Sequence, residues 1–155
     1  MKIIRMQIAN EALAFYNVGS REYSTHMPAL TSNPQENFYK ILPAIVNLAF
    51  SIELFLKSFL EDAVGRKSRH NLKALFESWD NSEKELIMSM MLSRMSPYDS
   101  DFSETKFWDY MERNKFAFED WRYYYQRGGQ VNIAFLFVFA TALNDFTMKL
   151  KEAGF

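Results

Sequence analysis

The sequence predicts an all-α fold: one domain spanning residues 1–155, a bundle of about five to six helices. Three observations carry this. Hydrophobic residues make up 48% of the chain and aromatics 17%, ample for a core that buries roughly two-thirds of the unfolded surface at this length. Five glycines and four prolines are too few for a loop-rich or all-β chain. Apolar residues recur at spacings of three and four, the helical period.

The first helix is expected over about 3–22, with Ile4, Ile8, Leu13 and Phe15 as its apolar residues. The stretch from Ser24 to Pro34, with its Ser, Asn and Pro, reads as a loop. The second helix is the clearest. It is expected to start at Pro43, a residue suited to a first turn. Ile45, Leu48, Ala49, Ile52, Leu56 and Phe59 form its stripe, Phe55 and Leu60 widen it, and Gly65 is placed to end it. A basic turn, GRKSRH, leads into a third helix over about 70–79 with Leu72, Leu75, Phe76 and Trp79 on one face.

A fourth helix is expected from near Asn81, with a capping side chain and acidic residues in its first turn, to about Arg94, turning Leu86, Met90 and Met91 inward. Ser96 to Ser103 reads as a loop. Ser103 signals a fifth helix with Phe107, Tyr110 and Met111 inward; Lys106 stands three positions on, so the capping box is incomplete. Residues 116–126, FAFEDWRYYYQ, read as a short helix or an extended turn. Gly128 and Gly129 break the chain, and a last helix follows over about 131–151, with Lys149 and Lys151 near its C-terminal dipole. WRYYY and IAFLFVF, joined by Arg-Gly-Gly-Gln, could instead form a β-hairpin. The helical period continuing through Thr141, Leu143 and Phe146 favours the helix.

Composition excludes several function classes. The net charge is -1, so no global basic field draws nucleic acid, and RNA contact would need a local basic patch. With no cysteine, disulfide scaffolds, thiolate zinc sites and cysteine nucleophiles are absent, which fits a reducing, cytoplasmic setting. No leader peptide is recognisable at the N-terminus. The most apolar run, Val131 to Leu143, carries Asn132 and Thr141. It is short against the roughly 20 residues of a membrane span, so a buried helix is expected and no membrane partner. No glycine-rich phosphate loop, His-Glu-x-x-His or Gly-x-Ser-x-Gly occurs. No cofactor is implied, and two histidines rule out a multi-histidine metal site within one chain.

A few polar residues stand out. Glu53 and Lys57 lie at i and i+4 on an otherwise apolar helix. They read either as a surface ion pair contributing about 0.3–0.5 kcal/mol, or as a partly buried pair lining a groove, costly unless other polar groups meet it. His70 follows Arg66, Lys67 and Arg69. It reads as a capping or loop histidine, or as an acid, base or anion contact. Arg122 lies in EDWRYYYQR, paired with Glu119 or stacked on aromatics, or presented to a phosphate or carboxylate. Tyr123, Tyr124 and Tyr125 offer hydroxyls or stacking faces, but three adjacent residues cannot share one helical face. Phe135, Phe137 and Phe139 read as core or dimer interface rather than a platform for bases.

Three segments in order, NLAFSIELFLKSFL (47–60), RHNLKALF (69–76) and FEDWRYYYQ (118–126), resemble the HEPN superfamily, the higher eukaryote and prokaryote nucleotide-binding proteins. Its members show an acidic residue with lysine four positions on, then a His-x-Leu-x-x-Leu element, then an Arg-Tyr element. Here these are Glu53 and Lys57, His70 with Leu72 and Leu75, and Arg122 with Tyr123. The resemblance implies an antiparallel helical bundle, often a homodimer, whose relatives cleave RNA, act in toxin–antitoxin pairs or phage defence, or bind nucleotides or partner proteins. Its nuclease members carry Arg, four to six residues, then His. From Arg122 those positions hold Arg127, Gly128 and Gly129, and only three residues separate Arg66 from His70.

The expected function is therefore non-catalytic binding of a nucleotide, RNA or protein partner in a polar groove of Glu53, Lys57, Arg69, His70, Arg122 and Tyr123. Two alternatives stand beside it: a metal-independent ribonuclease using His70 and Arg122, and a structural adaptor in which the charged groups form a closed ion network.

Overall fold

A computed structural model describes residues 5–61, 68–120 and 129–154 of the chain. Among them are seven helices and no strand: α1 (Met6–Ser32), α2 (Pro34–Ser58), α3 (Leu72–Glu77), α4 (Asn81–Arg94), α5 (Glu104–Asn114), α6 (Ala117–Asp120) and α7 (Gly129–Glu152). The all-α fold is as expected. The hairpin alternative fails on its second half, because Ile133 to Phe139 lies inside α7.

α1 and α2 form a long antiparallel hairpin around the single residue Asn33. Arg5 N–H donates to Ser58 O at one end, Gly19 meets Leu48 midway, and the Asn37 amide reaches Ala29 O near the turn. The expected loop over Ser24 to Pro34 is thus helix up to Ser32. Thr25, Thr31 and Ser32, read as loop formers, turn their hydroxyls back onto the carbonyls four residues earlier. Pro28 removes one amide donor, but buried Leu30 still anchors this last part of α1. Pro34, not Pro43, opens α2; Pro43 lies in its interior, where its carbonyl accepts from the Asn47 amide at 2.7 Å.

α1 packs through a stripe the sequence reading missed. Ala9, Ala12, Gly19, Tyr23 and Leu30 are buried, while Ile8, Leu13 and Phe15 are only half-buried. Close approach of two helices selects small residues, so hydrophobic size is the wrong guide on this face. A Cβ on Gly19 would lie 2.9 Å from the Leu48 backbone nitrogen.

α2 ends at Ser58, earlier than expected; Gly65 lies outside the described residues. Its C-terminal carbonyls are answered by distant groups. The Trp79 indole N–H donates to Leu56 O at 3.1 Å, the Arg5 guanidinium to Lys57 O, and the Arg5 amide to Ser58 O. A helix end can sit in the interior only when its carbonyls are satisfied in this way.

α7 runs antiparallel to α1, with Lys151 on Asn10, Tyr16 on Thr141 and Tyr23 stacked on Phe137 at 4.1 Å. It also packs on α2, α4 and α5. Phe135 and Phe139 are fully buried, so within this chain they are core. Phe76 joins the helices, its ring 5.5 Å from Phe107 and 5.6 Å from Phe139. Glu36–Ser58 and Asn132–Glu152 are each long and apolar enough to cross a membrane by length and composition, and most of each is buried inside the bundle. The 13-residue apolar run is thus the middle of a longer helix, and burial rather than length identifies it as a core element.

α4 corrects a second expectation. Its buried line is Glu83, Ile87, Met88 and Met91, whereas Leu86 is 55% exposed. Apolar residues on both sides of α4 blur its period. Asp80 rather than Asn81 is its N-cap, with no side-chain capping bond. In α5 the expected cap and stripe hold: Ser103 accepts from Lys106 N–H, and Phe107, Tyr110 and Met111 are buried.

The α4–α5 connection is fastened by Asp99. Its carboxylate accepts from Lys106 Nζ at 2.9 Å, from the Tyr110 hydroxyl at 3.0 Å and from Asp101 N–H at 3.2 Å. Chiefly through the Lys106 ammonium, these bonds hold the carboxyl below the usual range. The contribution is complete above the unfolded-state value of roughly 3.9 and is lost as pH falls through the lower folded-state value. Urea denaturation should therefore show the stability advantage of the wild type over Asp99→Asn shrinking in acid. A difference unchanged from neutral to strongly acid pH would contradict this assignment.

Candidate functional site

Three of the expected site residues meet. Glu53 lies on the second-last turn of α2, flanked by Ile52, Phe55 and Leu56, all fully buried, and is itself 2% exposed. Its carboxylate accepts from Lys57 Nζ at 2.6 Å and from His70 Nδ1 at 2.9 and 3.0 Å. A buried carboxylate is costly unless its lone pairs are answered; here an ammonium and an imidazole answer them. The partners are not buried with it. The side chains of Lys57 and His70 are 22% and 41% exposed. The pair is an i,i+4 ion pair whose acid lies in the core and whose cation is partly exposed, and the His70 imidazole is the further polar group that meets it.

His70 is delivered by a turn and a cap. Asn71 N–H closes a turn onto Ser68 O at 2.9 Å, with Arg69 in the left-handed region at φ 47°. The Asn71 side chain then caps α3 by accepting from Ala74 N–H at 3.0 Å. Leu72 N–H donates to Lys115 O at 2.8 Å, and Lys73 reaches Glu112 of α5 at 2.8 Å. Lys115 and Lys73 pull the Glu112 carboxyl down to about 2. The start of α3 is thus clamped to the end of α5, which fixes the imidazole against α2.

Phe118 of α6 flanks the imidazole, with ring centroids 5.6 Å apart, and stacks at 4.9 Å on Phe50 of α2. Neither aromatic was singled out from the sequence, and no local pattern marks them. Asn71 was also missed, although Asn immediately before an apolar-periodic residue is a helix-start signal.

Arg69 is exposed, and the described structure shows no hydrogen bond or ion pair between it and Glu53, Lys57 or His70. Arg122 and Tyr123 lie outside the described residues, as do Arg66, Lys67, Tyr124 and Tyr125. No group of three His, Asp or Glu side chains suited to a metal ion occurs among the described residues.

Chemically, the cluster holds an oriented imidazole. With Nδ1–H facing the carboxylate, the neutral ring carries its lone pair on Nε2. The backbone of Arg69 offers a separate test. A left-handed non-glycine residue costs roughly 1–2 kcal/mol, partly offset in a glycine variant by greater unfolded-state entropy. Arg69→Gly is therefore expected to raise stability by up to about 1 kcal/mol, a melting temperature higher by about 2–4 °C at this chain length. A lower melting temperature would mean that the Arg69 side chain makes a stabilising contact.

No family model matches this chain, no curated protein matches it in sequence, and no solved structure matches it in fold.

Proposed function

We propose that this chain is a HEPN-like binding domain, a cytoplasmic homodimer, and that Lys57 and His70, held by Glu53, engage the phosphate of a nucleotide or of RNA. One observation carries the reading: the acid is buried at 2% exposure while both of its cationic or cationisable partners reach solvent. A closed structural network would bury all three. An ammonium and an imidazole fixed side by side at a surface suit a phosphate, because their positions are set before the ligand arrives. Arg69 precedes His70 in sequence, and Arg122 with Tyr123 joins the proposed groove through the family resemblance.

A second reading, metal-independent RNA cleavage, draws on one specific feature. A buried carboxylate behind Nδ1 is how a general-base histidine is commonly oriented. Against it stands the missing Arg-x4-6-His spacing.

One experiment separates the readings. Fluorescein-labelled RNA oligonucleotides and a nucleotide panel are titrated with pure protein, and the RNA is then run on a denaturing gel. Saturable binding weakened at least about tenfold (about 1.4 kcal/mol) by Lys57→Ala and by His70→Ala, with intact RNA, is the expected result. Cleavage abolished by His70→Ala in a folded variant would establish the ribonuclease. Absence of binding to every nucleotide and RNA would remove the ligand proposal and leave the adaptor. Arg122→Ala and Tyr123→Phe test the remaining members, and light scattering at micromolar concentration tests the dimer.

A further inference from the structure

We propose that the groove between α4 and α5 is a docking site for a basic amphipathic helix of a partner protein. The groove encloses about 470 Å³. Its apolar lining is Met88 and Leu92 of α4 and Trp108 of α5. The Trp108 ring is set firmly, packing 5.2 Å from Phe107 and 5.8 Å from Phe76. Leu92 is 41% exposed, an apolar side chain left in water beside a preformed aromatic wall. On α4 the lining extends from Asn81 to Leu92, about 16 Å at 1.5 Å per residue. That length matches three turns of a docked helix, read through anchors at i, i+3 or i+4, and i+7.

Charge selects the occupant. Glu85 and Glu104 line the groove and form no ion pair among the described residues. Its one lining cation, Lys84, donates from Nζ to Glu77 O at the end of α3. The other cations of these helices are engaged elsewhere: Arg94 on Asp145, Lys106 on Asp99, and Arg113 over the Tyr110 ring. The lining thus carries two carboxylates and one ammonium around an apolar floor, a net negative charge complementary to a helix with leucines on one face and lysines or arginines on the other. None of these residues belongs to the Glu53 cluster, so the inference stands apart from the proposed function.

The test uses the full chain and a fluorescein-labelled helical peptide of leucine, alanine and lysine with its leucines on one face. Anisotropy should show saturable binding. It should weaken at least about tenfold in Glu85→Lys/Glu104→Lys, and likewise in Leu92→Asp, while circular dichroism and melting temperature show both variants folded. A scrambled peptide of identical composition should bind at least about tenfold less tightly. Equal binding of the scrambled peptide, no binding at all, or affinity unaffected by both variants would overturn the proposal. So would a wild-type dimer that Leu92→Asp dissolves and the peptide fails to dissociate, since the groove would then belong to a second copy of this chain.

Discussion

Glu53→Leu is expected to weaken phosphate binding at least about tenfold while leaving stability unchanged or raised. A buried carboxylate contributes little net stability, because its desolvation offsets its attraction to its partners. Replacing a whole buried ion pair by well-packed apolar residues of similar volume is often neutral or stabilising by about 1–4 kcal/mol, whereas removing one partner costs about 3–5 kcal/mol when it leaves the other charge buried. The usual penalty for orphaning the partners is small here, since Lys57 and His70 already touch solvent. Without the carboxylate, however, the Lys57 ammonium and the His70 ring lose the one group that orients both of them on ligand approach. Calorimetry should show affinity lower by at least about tenfold, and thermal denaturation no decrease in melting temperature. His70→Ala should reproduce the loss of binding with little change in stability. A Glu53→Leu variant markedly less stable than wild type would assign the carboxylate a structural role and favour the adaptor reading.

The second large effect concerns Gly19. In a helix interior, Gly→Ala ordinarily stabilises by up to about 1 kcal/mol. At this site the added Cβ would lie 2.9 Å from the Leu48 backbone nitrogen and 3.0 Å from Leu48 Cγ. A backbone atom of a packed helix cannot step aside as a side-chain end can, so α1 and α2 must separate along their shared face. Overpacking of this kind costs about 1–3 kcal/mol. Gly19→Ala is expected to be net destabilising despite its helix propensity. Gly19→Val should lose about 3 kcal/mol, a fall in melting temperature of roughly 6–12 °C for a chain of this length. Circular dichroism melts of the two variants check both the sign for alanine and the order of the pair. A stabilised Gly19→Ala would show that the helices are not in such close contact.

How much of this was legible varies by element. α5 was read almost completely, because a capping serine and a strong one-sided stripe are local signals. α2 was the clearest helix in the sequence, yet its start was misplaced by nine residues, at Pro43 instead of Pro34. Pro43 looked like an opening residue, and only the packing of Ile41 and its neighbours shows that the helix is already under way. α4 was located well but its face partly misread, since Leu86 points outward while Ile87 and Met88 join Met91 in the core. Nothing local distinguishes an apolar residue that packs from one that waits for a partner.

The amino-acid sequence by itself determined the class of fold and the candidacy of Glu53, Lys57 and His70, because helical period and the oddity of charges on an apolar helix are properties of neighbouring residues. Only the tertiary structure decided that Glu53 is buried while its partners reach water, that Phe118 flanks the imidazole, and that Gly19 brings two helices together. Each of these depends on which surfaces of distant segments face one another, and free energies of burial and desolvation are set by that arrangement.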